Sequence, residues 1–463
     1  MLPDSLALFT DLYELTMAAS YFHHRMFAPA TFSLFVRKLP ADRGFLVAAG
    51  LEKVVSFLEG FSFSSDDLAF LHQTGRFQAD FLDYLATLRF TGDLFALPEG
   101  RVFFATEPLI EITAPIIEAQ LVETFVLNAM HVQTVIASKA ARCVHAAQGR
   151  KLVDFALRRA HGVDAGLKVA RASYLAGFTG TSNVLAGKLY GVPFYGTMAH
   201  SFIQSFDDEE AAFTAYAETF PEDTALLIDT YDTLAGAQRA ARVGQLLQQQ
   251  GHQLRGVRLD SGDLLTLSQQ TRQILDAAGL HDTRVYASGG LNEHEVSRLV
   301  GAGAPIDIFG VGTDMGVSSD APSLDMAYKL VEYAGGPRLK LSSKKVSLLG
   351  KKQIFRCIND DGQYEYDLIG FREEHCDNLT NAKVPQTQIS ALLEKVMENG
   401  RLLSPLPSLE ESRCTFFGDF AQLPERYKAL PAPPSYPVRL TPLLAWFQEE
   451  TVARLRARYA PPQ

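Results

Sequence analysis

Acidic, hydroxyl and glycine residues follow a series of short apolar runs in the middle of the chain. The runs end in Asp229-Thr-Tyr-Asp232, Arg258-Leu-Asp260-Ser-Gly-Asp263, Ser288-Gly289-Gly290 and Gly310-Val-Gly312-Thr313. Turns of the last two kinds let backbone N–H groups approach a phosphate with no Cβ in the way. Either turn alone is more often ordinary turn chemistry. The two turns together, in order on neighbouring strands, leave ordinary turns and a phosphate-binding site as equally open interpretations.

Arg258 and Asp260 lie on one side of their predicted strand, because side chains along a strand alternate with a period of two. One cation and one carboxylate then face the same pocket. A structural ion pair at the end of a strand is the alternative. The strand-end position and the further acids nearby favour ligand binding, since a forked guanidinium matches a carboxylate or a phosphate.

A second polar segment, residues 178–206, combines hydroxyl residues with a histidine. Its first cluster, which is also typical of a helix N-cap, consists of Thr179, Thr181, Ser182 and Asn183. His200 follows the strand-like run 194–197. A single histidine in this position is more often a hydrogen-bonded structural residue than a reactive one.

Three basic clusters lie elsewhere in the chain. They are Arg37-Lys38 with Arg43, Arg158-Arg159, and the lysines from Lys340 to Lys352. Such clusters are usually solvated faces. Their separation in sequence is also compatible with a phosphate pocket formed between domains or subunits.

The polar ends need parallel strands to bring them together, and the sequence between about 130 and 335 has the rhythm of β/α units. The predicted strands are 224–229, 253–260, 284–288, 306–311 and 326–333. The predicted helices are 235–250, 264–278 and 293–302, the last with Asn292 as its N-cap. In parallel barrels, reactive groups follow the carboxyl ends of the strands.

The flanking regions mix helices with extended runs and predict a second, smaller domain. We expect 1–125 to form its N-terminal part, 126–335 to form a barrel with the reactive groups, and 336–463 to form its C-terminal part. The proline-rich stretch 431–437 predicts a tail that wraps over the surface before a last helix near 443–459.

Composition excludes several classes of protein. The chain has 463 residues, 47% of them apolar, and a formal charge of −10, which argues against a nucleic-acid-binding surface. No uninterrupted apolar stretch is long enough for a membrane span, and Asp4, Asp11 and Glu14 do not fit a secretory leader. Four cysteines without paired spacing indicate a reducing compartment. We therefore expect a cytoplasmic protein without membrane or nucleic-acid partners.

Several long motifs in order resemble the nicotinate phosphoribosyltransferases, within the type II phosphoribosyltransferases. The motifs are DLYELTMAASYF, DFALRRAHG, ARASYLAGFTGTSNVLAGKLYGVPFYGTMAHSF, GVRLDSGDL, YASGGLNEH, and DIFGVGTDM followed by RLKLSSKK. The resemblance implies an α/β protein, with an irregular TIM-like α/β barrel and a discontinuous α/β sandwich-like second domain. It also implies a homodimer with active sites at the subunit boundary.

The implied reaction joins nicotinate to phosphoribosyl pyrophosphate (PRPP), with ATP as co-substrate and Mg²⁺ as cofactor. Tyr13, Thr197 and Arg258 then contact nicotinate, Arg171 and Ser182 line the base pocket, and His200 is the phosphorylated histidine. The residues implied to bind PRPP phosphates are Ser288, Gly289, Gly290, Gly310, Gly312 and Thr313. Asp229 and Asp260 fall where related enzymes hold Mg²⁺ through water. Asparagines are frequent in the family where this chain has Gly289 and Gly290, which leaves only backbone contacts there.

Three alternatives stay open. A nicotinamide enzyme carries an acidic residue at the position of Ser182, and a quinolinate enzyme needs further cations in the base pocket and is typically a shorter chain. A non-catalytic phosphate-binding barrel has no chemical need to keep Tyr13, His200, Arg258 and Asp260 together.

Overall fold

The computed structural model describes residues 5–341, 347–375 and 388–459. The chain divides into two compact units, one made of Met1–Val135 with Ser323–Gln463 and the other of Ile136–Pro322. We call them the discontinuous unit and the continuous unit. Lys344 and Lys345, which belong to the third basic cluster, lie outside the described residues.

The N-terminal part of the chain is mixed helix and strand. Its elements are α1 Leu12–His23, β1 Pro29–Val36, β2 Leu46–Val47, α2 Leu51–Glu59, α3 Ser65–Gln73, α4 Ala79–Thr87, β3 Asp93–Ala96, β4 Val102–Phe103, β5 Pro108–Pro115, α5 Ile116–Leu121 and α6 Glu123–Ala147.

The continuous unit alternates strands with helices, as the rhythm of its sequence predicts. Its elements are β6 Lys151–Asp154, α7 Val163–Leu175, β7 Gly180–Thr181, α8 Val184–Tyr190, α9 His200–Gln204, α10 Glu209–Thr219, β8 Ala225–Leu227, α11 Thr233–Gln249, β9 Gly256–Leu259, α12 Leu264–Ala277, β10 Arg284–Ala287, α13 Glu293–Gly301, β11 Ile308–Val311 and α14 Thr313–Gly316. A 3₁₀ turn spans Leu157–Arg159.

The C-terminal part is richer in strands. Its elements are β12 Met326–Tyr333, β13 Gly336–Pro337, β14 Lys352–Ile358, β15 Tyr364–Phe371, β16 Ile389–Ala391, β17 Glu394–Glu398, β18 Arg401–Leu402, α15 Leu409–Gln422, α16 Glu425–Lys428, β19 Val438–Leu440 and α17 Pro442–Tyr459. The prediction of a last helix is confirmed.

Six strands of the continuous unit form one parallel sheet in the order β7-β6-β11-β10-β9-β8. Val257, Val285 and Phe309 at its centre are fully buried, as expected for a parallel sheet covered on both faces. Asp232, Asp263 and Asn292 begin the helices α11, α12 and α13 by accepting backbone N–H groups. The carboxyl ends of all six strands therefore lie at the same edge, where the polar residues follow them.

The discontinuous unit contains a seven-stranded sheet in the order β13-β12-β1-β5-β3-β17-β18. Its centre is antiparallel, with Ser33 of β1 opposite Glu111 of β5 on one side and Lys329 of β12 on the other. A four-stranded sheet β16-β14-β15-β19 and the pair β2-β4 complete the unit.

Two predictions about individual strands are wrong. Met326–Tyr333 is a strand, but it pairs antiparallel with β1 in the discontinuous unit and is not a barrel strand. The run 194–197 makes only an isolated bridge between Phe194 and Thr181. In both cases the apolar run is real, and the partner, which sequence periodicity does not report, decides the sheet.

Candidate functional site

Arg258 lies on β9 with its guanidinium held at the carboxyl edge of the parallel sheet. Its Nη1 donates to Thr197 Oγ1 at 2.8 Å and to the Met198 carbonyl at 3.3 Å. Its Nη2 donates to Asp260 Oδ1 at 3.3 Å. The side chain is 15% exposed, and its Nε is buried with no hydrogen-bond partner in residues 5–341, 347–375 and 388–459. The predicted grouping of Thr197, Arg258 and Asp260 is therefore present.

Asp260 and Asp229 join the carboxyl ends of three neighbouring strands. Asp260 accepts a short hydrogen bond from Ser288 Oγ, which follows β10. Asp229 Oδ2 accepts from the Asp260 backbone N–H at 2.9 Å and from Ser261 Oγ at 2.6 Å. Asp229 Oδ1 is buried and has no hydrogen-bond partner in the part of the chain that the structure describes. One carboxylate oxygen is thus held ready for a further donor or a hydrated cation.

Mg²⁺ fits this pair of carboxylates only as a hydrated ion. Within the described parts of the chain, no group of three or more His, Cys, Asp and Glu side chains is placed to hold a metal. Mg²⁺ usually keeps several waters and needs only one or two carboxylates together with substrate phosphates. The orphaned Oδ1 of Asp229 is compatible with such an arrangement.

The two glycine turns differ in what they require. Gly289 and Gly290 have φ values of +90° and +65°, and a Cβ on Gly289 would lie 1.9 Å from the Asp260 carbonyl oxygen. A Cβ on Gly310 would meet the Phe155 ring at 2.6 Å. Gly312 has a φ of −118°, so no strain of a left-handed backbone requires glycine there. Thr313 follows at the exposed start of α14.

His200 begins the short helix α9 and contacts Thr230. Its Nδ1 lies 3.1 Å from the hydroxyl of Thr230, the residue after Asp229, and the ring is half-buried. This hydrogen bond orients the imidazole ring, and the hydroxyl can pair with either tautomer. The other ring nitrogen, Nε2, remains available for chemistry.

The hydroxyl cluster 179–183 surrounds the short strand β7 and leads into α8. Asn183 caps α8 by accepting from the Ala186 N–H at 3.2 Å, which confirms the helix-cap interpretation for that residue. The Ser182 N–H donates to the Asp154 carbonyl at 2.8 Å and its side chain is half-buried. Arg171 is 4% exposed on α7.

Asp154 and Phe155, at the end of β6, were not identified from the sequence. Arg258 Cζ lies 5.8 Å from the centre of the Phe155 ring. Asp154 is fully buried, and burial raises the pKa of its carboxyl to about 6, although the Ala156 N–H and the Thr181 hydroxyl oppose the shift. The available signal was the Asp-Phe pair that follows the apolar residues Leu152 and Val153 and begins the motif DFALRRAHG.

Tyr13 belongs to the discontinuous unit, where it is 49% exposed on α1. It lines a cavity of about 300 Å³ with Asp11, Glu123 and His131 among its neighbours. Partial burial, followed by the nearby carboxylates, raises the pKa of the Tyr13 hydroxyl above its ordinary range. Burial also raises the pKa of Glu123 to about 7. The phenol ring is therefore a neutral aromatic surface open to solvent.

The basic clusters have different environments. Arg158 and Arg159 are exposed on the 3₁₀ turn after β6. Arg37 pairs with Asp325 at 2.6 Å, and Lys352 is buried against Glu111 at 2.8 Å. Lys352 is thus a structural ion-pair residue. In the described residues, no helix has both the length and the apolar character to cross a bilayer.

Comparisons with known families cover nearly the whole chain. Residues 8–131 match the nicotinate phosphoribosyltransferase N-terminal domain, residues 150–344 the nicotinate phosphoribosyltransferase family, and residues 351–448 the C-terminal domain. Together the three matches include every residue of the parallel-sheet edge described above.

Individual relatives agree with the family matches. A nicotinate phosphoribosyltransferase of Mycobacterium tuberculosis is 51% identical over 437 residues, which is 94% of this chain and 91% of the relative. One from Bacillus subtilis is 39% identical, over 95% of this chain and 93% of the relative. The crystal structure of human nicotinic acid phosphoribosyltransferase aligns with a TM-score of 0.84 at 31% identity, over 95% of this chain and 99% of that one.

Proposed function

The chain belongs to the nicotinate phosphoribosyltransferase family, and we propose that it joins nicotinate to PRPP in a reaction coupled to ATP hydrolysis. The products are nicotinate mononucleotide and pyrophosphate, with ADP and phosphate from ATP. The observation that carries the proposal is the Arg258 guanidinium, fixed at the carboxyl edge of the parallel sheet by Thr197 and Asp260.

Arg258 is suited to recognise the carboxylate of nicotinate. A planar guanidinium binds a carboxylate through two parallel hydrogen bonds, and the buried Nε of Arg258 has no hydrogen-bond partner among the described residues. The half-buried Ser182 and the buried Arg171 complete the proposed base pocket. Tyr13 is proposed as an aromatic contact to the pyridine ring, at the boundary of a homodimer.

The glycine turns are suited to hold the phosphates of PRPP. Displacing pyrophosphate builds positive charge on the ribose and negative charge on the leaving group, so the site must stabilise a departing polyanion. Backbone N–H groups of Gly289, Gly290, Gly312 and Thr313 would provide the donors, whereas the Ser288 N–H already donates to the Leu259 carbonyl at 2.8 Å. Asp229 and Asp260 would hold Mg²⁺ through water, and the ion would supply charge neutralisation for the leaving group. Nicotinate attacks through its ring nitrogen, so no strong general base is needed.

His200 is proposed to accept the γ-phosphoryl group of ATP. The Nε2 lone pair attacks phosphorus, ADP leaves, and water later hydrolyses the phosphohistidine. The Thr230 hydroxyl at Nδ1 holds the ring with Nε2 exposed to this reaction. A phosphoryl group on His200, whose ring contacts Thr230, would add negative charge and would favour productive binding of PRPP. Four cysteines without paired spacing fit a cytoplasmic address.

A nucleotide-formation assay tests the proposed function. Purified protein is incubated with PRPP and Mg²⁺ and with nicotinate, nicotinamide or quinolinate, each with and without ATP. We expect nicotinate mononucleotide alone, formed faster with ATP. Nucleotide from nicotinamide or quinolinate in preference to nicotinate, or no nucleotide from any base, would overturn the proposal.

A further inference from the structure

We propose that Asp154 and Thr181 are positioning residues that aim the Arg258 guanidinium by fixing the segment 193–198. The inference rests on the proposed function, because it concerns how the nicotinate contact is held in place. It adds two residues that touch no substrate and act through another side chain.

The starting observation is a fully buried acid at the end of β6 that receives two hydrogen bonds. Asp154 Oδ1 accepts from the Ala156 N–H at 2.8 Å, and Oδ2 accepts from Thr181 Oγ1 at 2.7 Å. Both residues are 0% exposed. A buried carboxylate is costly unless it is hydrogen-bonded, so its two donors are fixed in place with it.

Thr181 also holds the segment 193–198, which has no regular secondary structure, through hydrogen bonds of its backbone. Its backbone N–H donates to the Pro193 carbonyl at 3.0 Å, and its carbonyl accepts from the Tyr195 N–H at 2.9 Å. Its hydroxyl oxygen also accepts from the Asn183 N–H at 3.0 Å. Residues 191–199 contain neither helix nor strand beyond this bridge, so these hydrogen bonds of Thr181 attach the segment to the sheet.

The anchored segment carries the acceptors of Arg258. Thr197 Oγ1 and the Met198 carbonyl both accept from Arg258 Nη1. Phe194, Tyr195 and Gly196 are exposed between the anchor and these acceptors. If Thr181 no longer holds the segment, water competes for these two acceptors. The guanidinium then keeps only its hydrogen bond to Asp260.

Gly180 supports this interpretation independently. A Cβ at this position would lie 2.3 Å from the Pro193 carbonyl oxygen and 2.6 Å from the Tyr195 ring. A backbone oxygen cannot yield as a flexible side chain can. The strand and the segment therefore approach each other more closely than any residue with a side chain permits.

The test uses Thr181→Val, which keeps the shape and removes the hydroxyl, with Thr181→Ser as the conservative variant. Thr179→Val is the matched control, since Thr179 directly precedes β7 and its hydroxyl donates to the Leu152 carbonyl at 2.8 Å and not to Asp154. Steady-state kinetics give separate KM values for nicotinate and PRPP, and thermal melts followed by circular dichroism confirm that each variant is folded.

We expect Thr181→Val to raise the KM for nicotinate about tenfold or more, the scale of one lost buried hydrogen bond, with less than a twofold change for PRPP. Thr181→Ser restores the parent value, and Thr179→Val leaves it unchanged. Equal changes in both KM values, or none, would overturn the positioning role. If Thr181→Val does not accumulate as folded protein, Asp154→Asn, which keeps the shape and one acceptor, must show the same split.

This outcome is distinguishable from failure of the proposed function. A parent protein that forms no nicotinate mononucleotide contradicts the function. An active parent whose Thr181→Val variant binds nicotinate normally contradicts the positioning role alone.

Discussion

Replacing Arg258 by alanine tests the central interaction of the proposed site. The guanidinium is 15% exposed and bonded to Thr197, Met198 and Asp260. Removing one partner of a buried charge pair costs about 2–5 kcal/mol, equivalent to roughly 30- to 5,000-fold in kcat/KM. Asp260 is 34% exposed, and water therefore compensates part of the loss. We expect Arg258→Ala to lose about 2–3 kcal/mol of transition-state stabilisation, which is a roughly 30- to 150-fold decrease in kcat/KM for nicotinate.

The assay measures kcat/KM for nicotinate at saturating PRPP, Mg²⁺ and ATP. Arg258→Lys should rescue poorly, because an ammonium group does not reproduce the two-pronged geometry. Arg255→Ala is the matched control, as this exposed arginine precedes β9 and donates to the Glu222 carbonyl. Parent-like use of nicotinate by Arg258→Ala would refute the reasoning and leave Arg258 as a structural ion-pair residue.

Three further predictions concern the turn, the histidine and the buried acid. Gly289→Ala should lower the melting temperature several degrees more than Gly290→Ala, because only the first Cβ collides with a backbone oxygen; equal melting temperatures would contradict this. His200→Ala should retain ATP-independent nucleotide formation while losing nicotinate-linked ATP hydrolysis and the acid-labile phosphoprotein, and labelling of this variant by ATP would place the acceptor elsewhere. The folded-state pKa of Asp154, about 6, lies above its ordinary value of 3.8, so its contribution to stability is complete below about pH 4 and is lost as pH rises through 6. In urea unfolding, the free energy of unfolding of the parent should therefore fall by up to about 3 kcal/mol relative to that of Asp154→Asn over this pH range. Parallel pH profiles of the two proteins would contradict a raised pKa for Asp154.

Local signals explain what could be predicted from the sequence. The helices α11, α12 and α13 lie within two residues of their predicted bounds, because each combines an apolar period with a side chain that caps it. Arg258 and Asp260 could be placed together since they are two residues apart on one strand.

Contacts between distant parts of the chain could not be predicted. Asp154 resembles any acid at a strand end, and its donor Thr181 is 27 residues away. The strand Met326–Tyr333 has the same apolar character as a barrel strand, and only its pairing with Pro29–Val36 places it in the other unit. Periodicity shows which face of a strand is buried, but not which strand lies beside it.

The chain order of the discontinuous unit has a consequence for biosynthesis. Strand β1 is made early, and its partner β12 begins only at Met326, after the whole continuous unit. During synthesis, the edge of β1 that pairs with β12 has no partner until β12 is made. The continuous unit, Ile136–Pro322, can complete its parallel sheet from consecutive residues. We therefore expect the discontinuous unit to complete its sheet after the continuous unit, and a nascent chain stalled before residue 326 to expose one edge of β1.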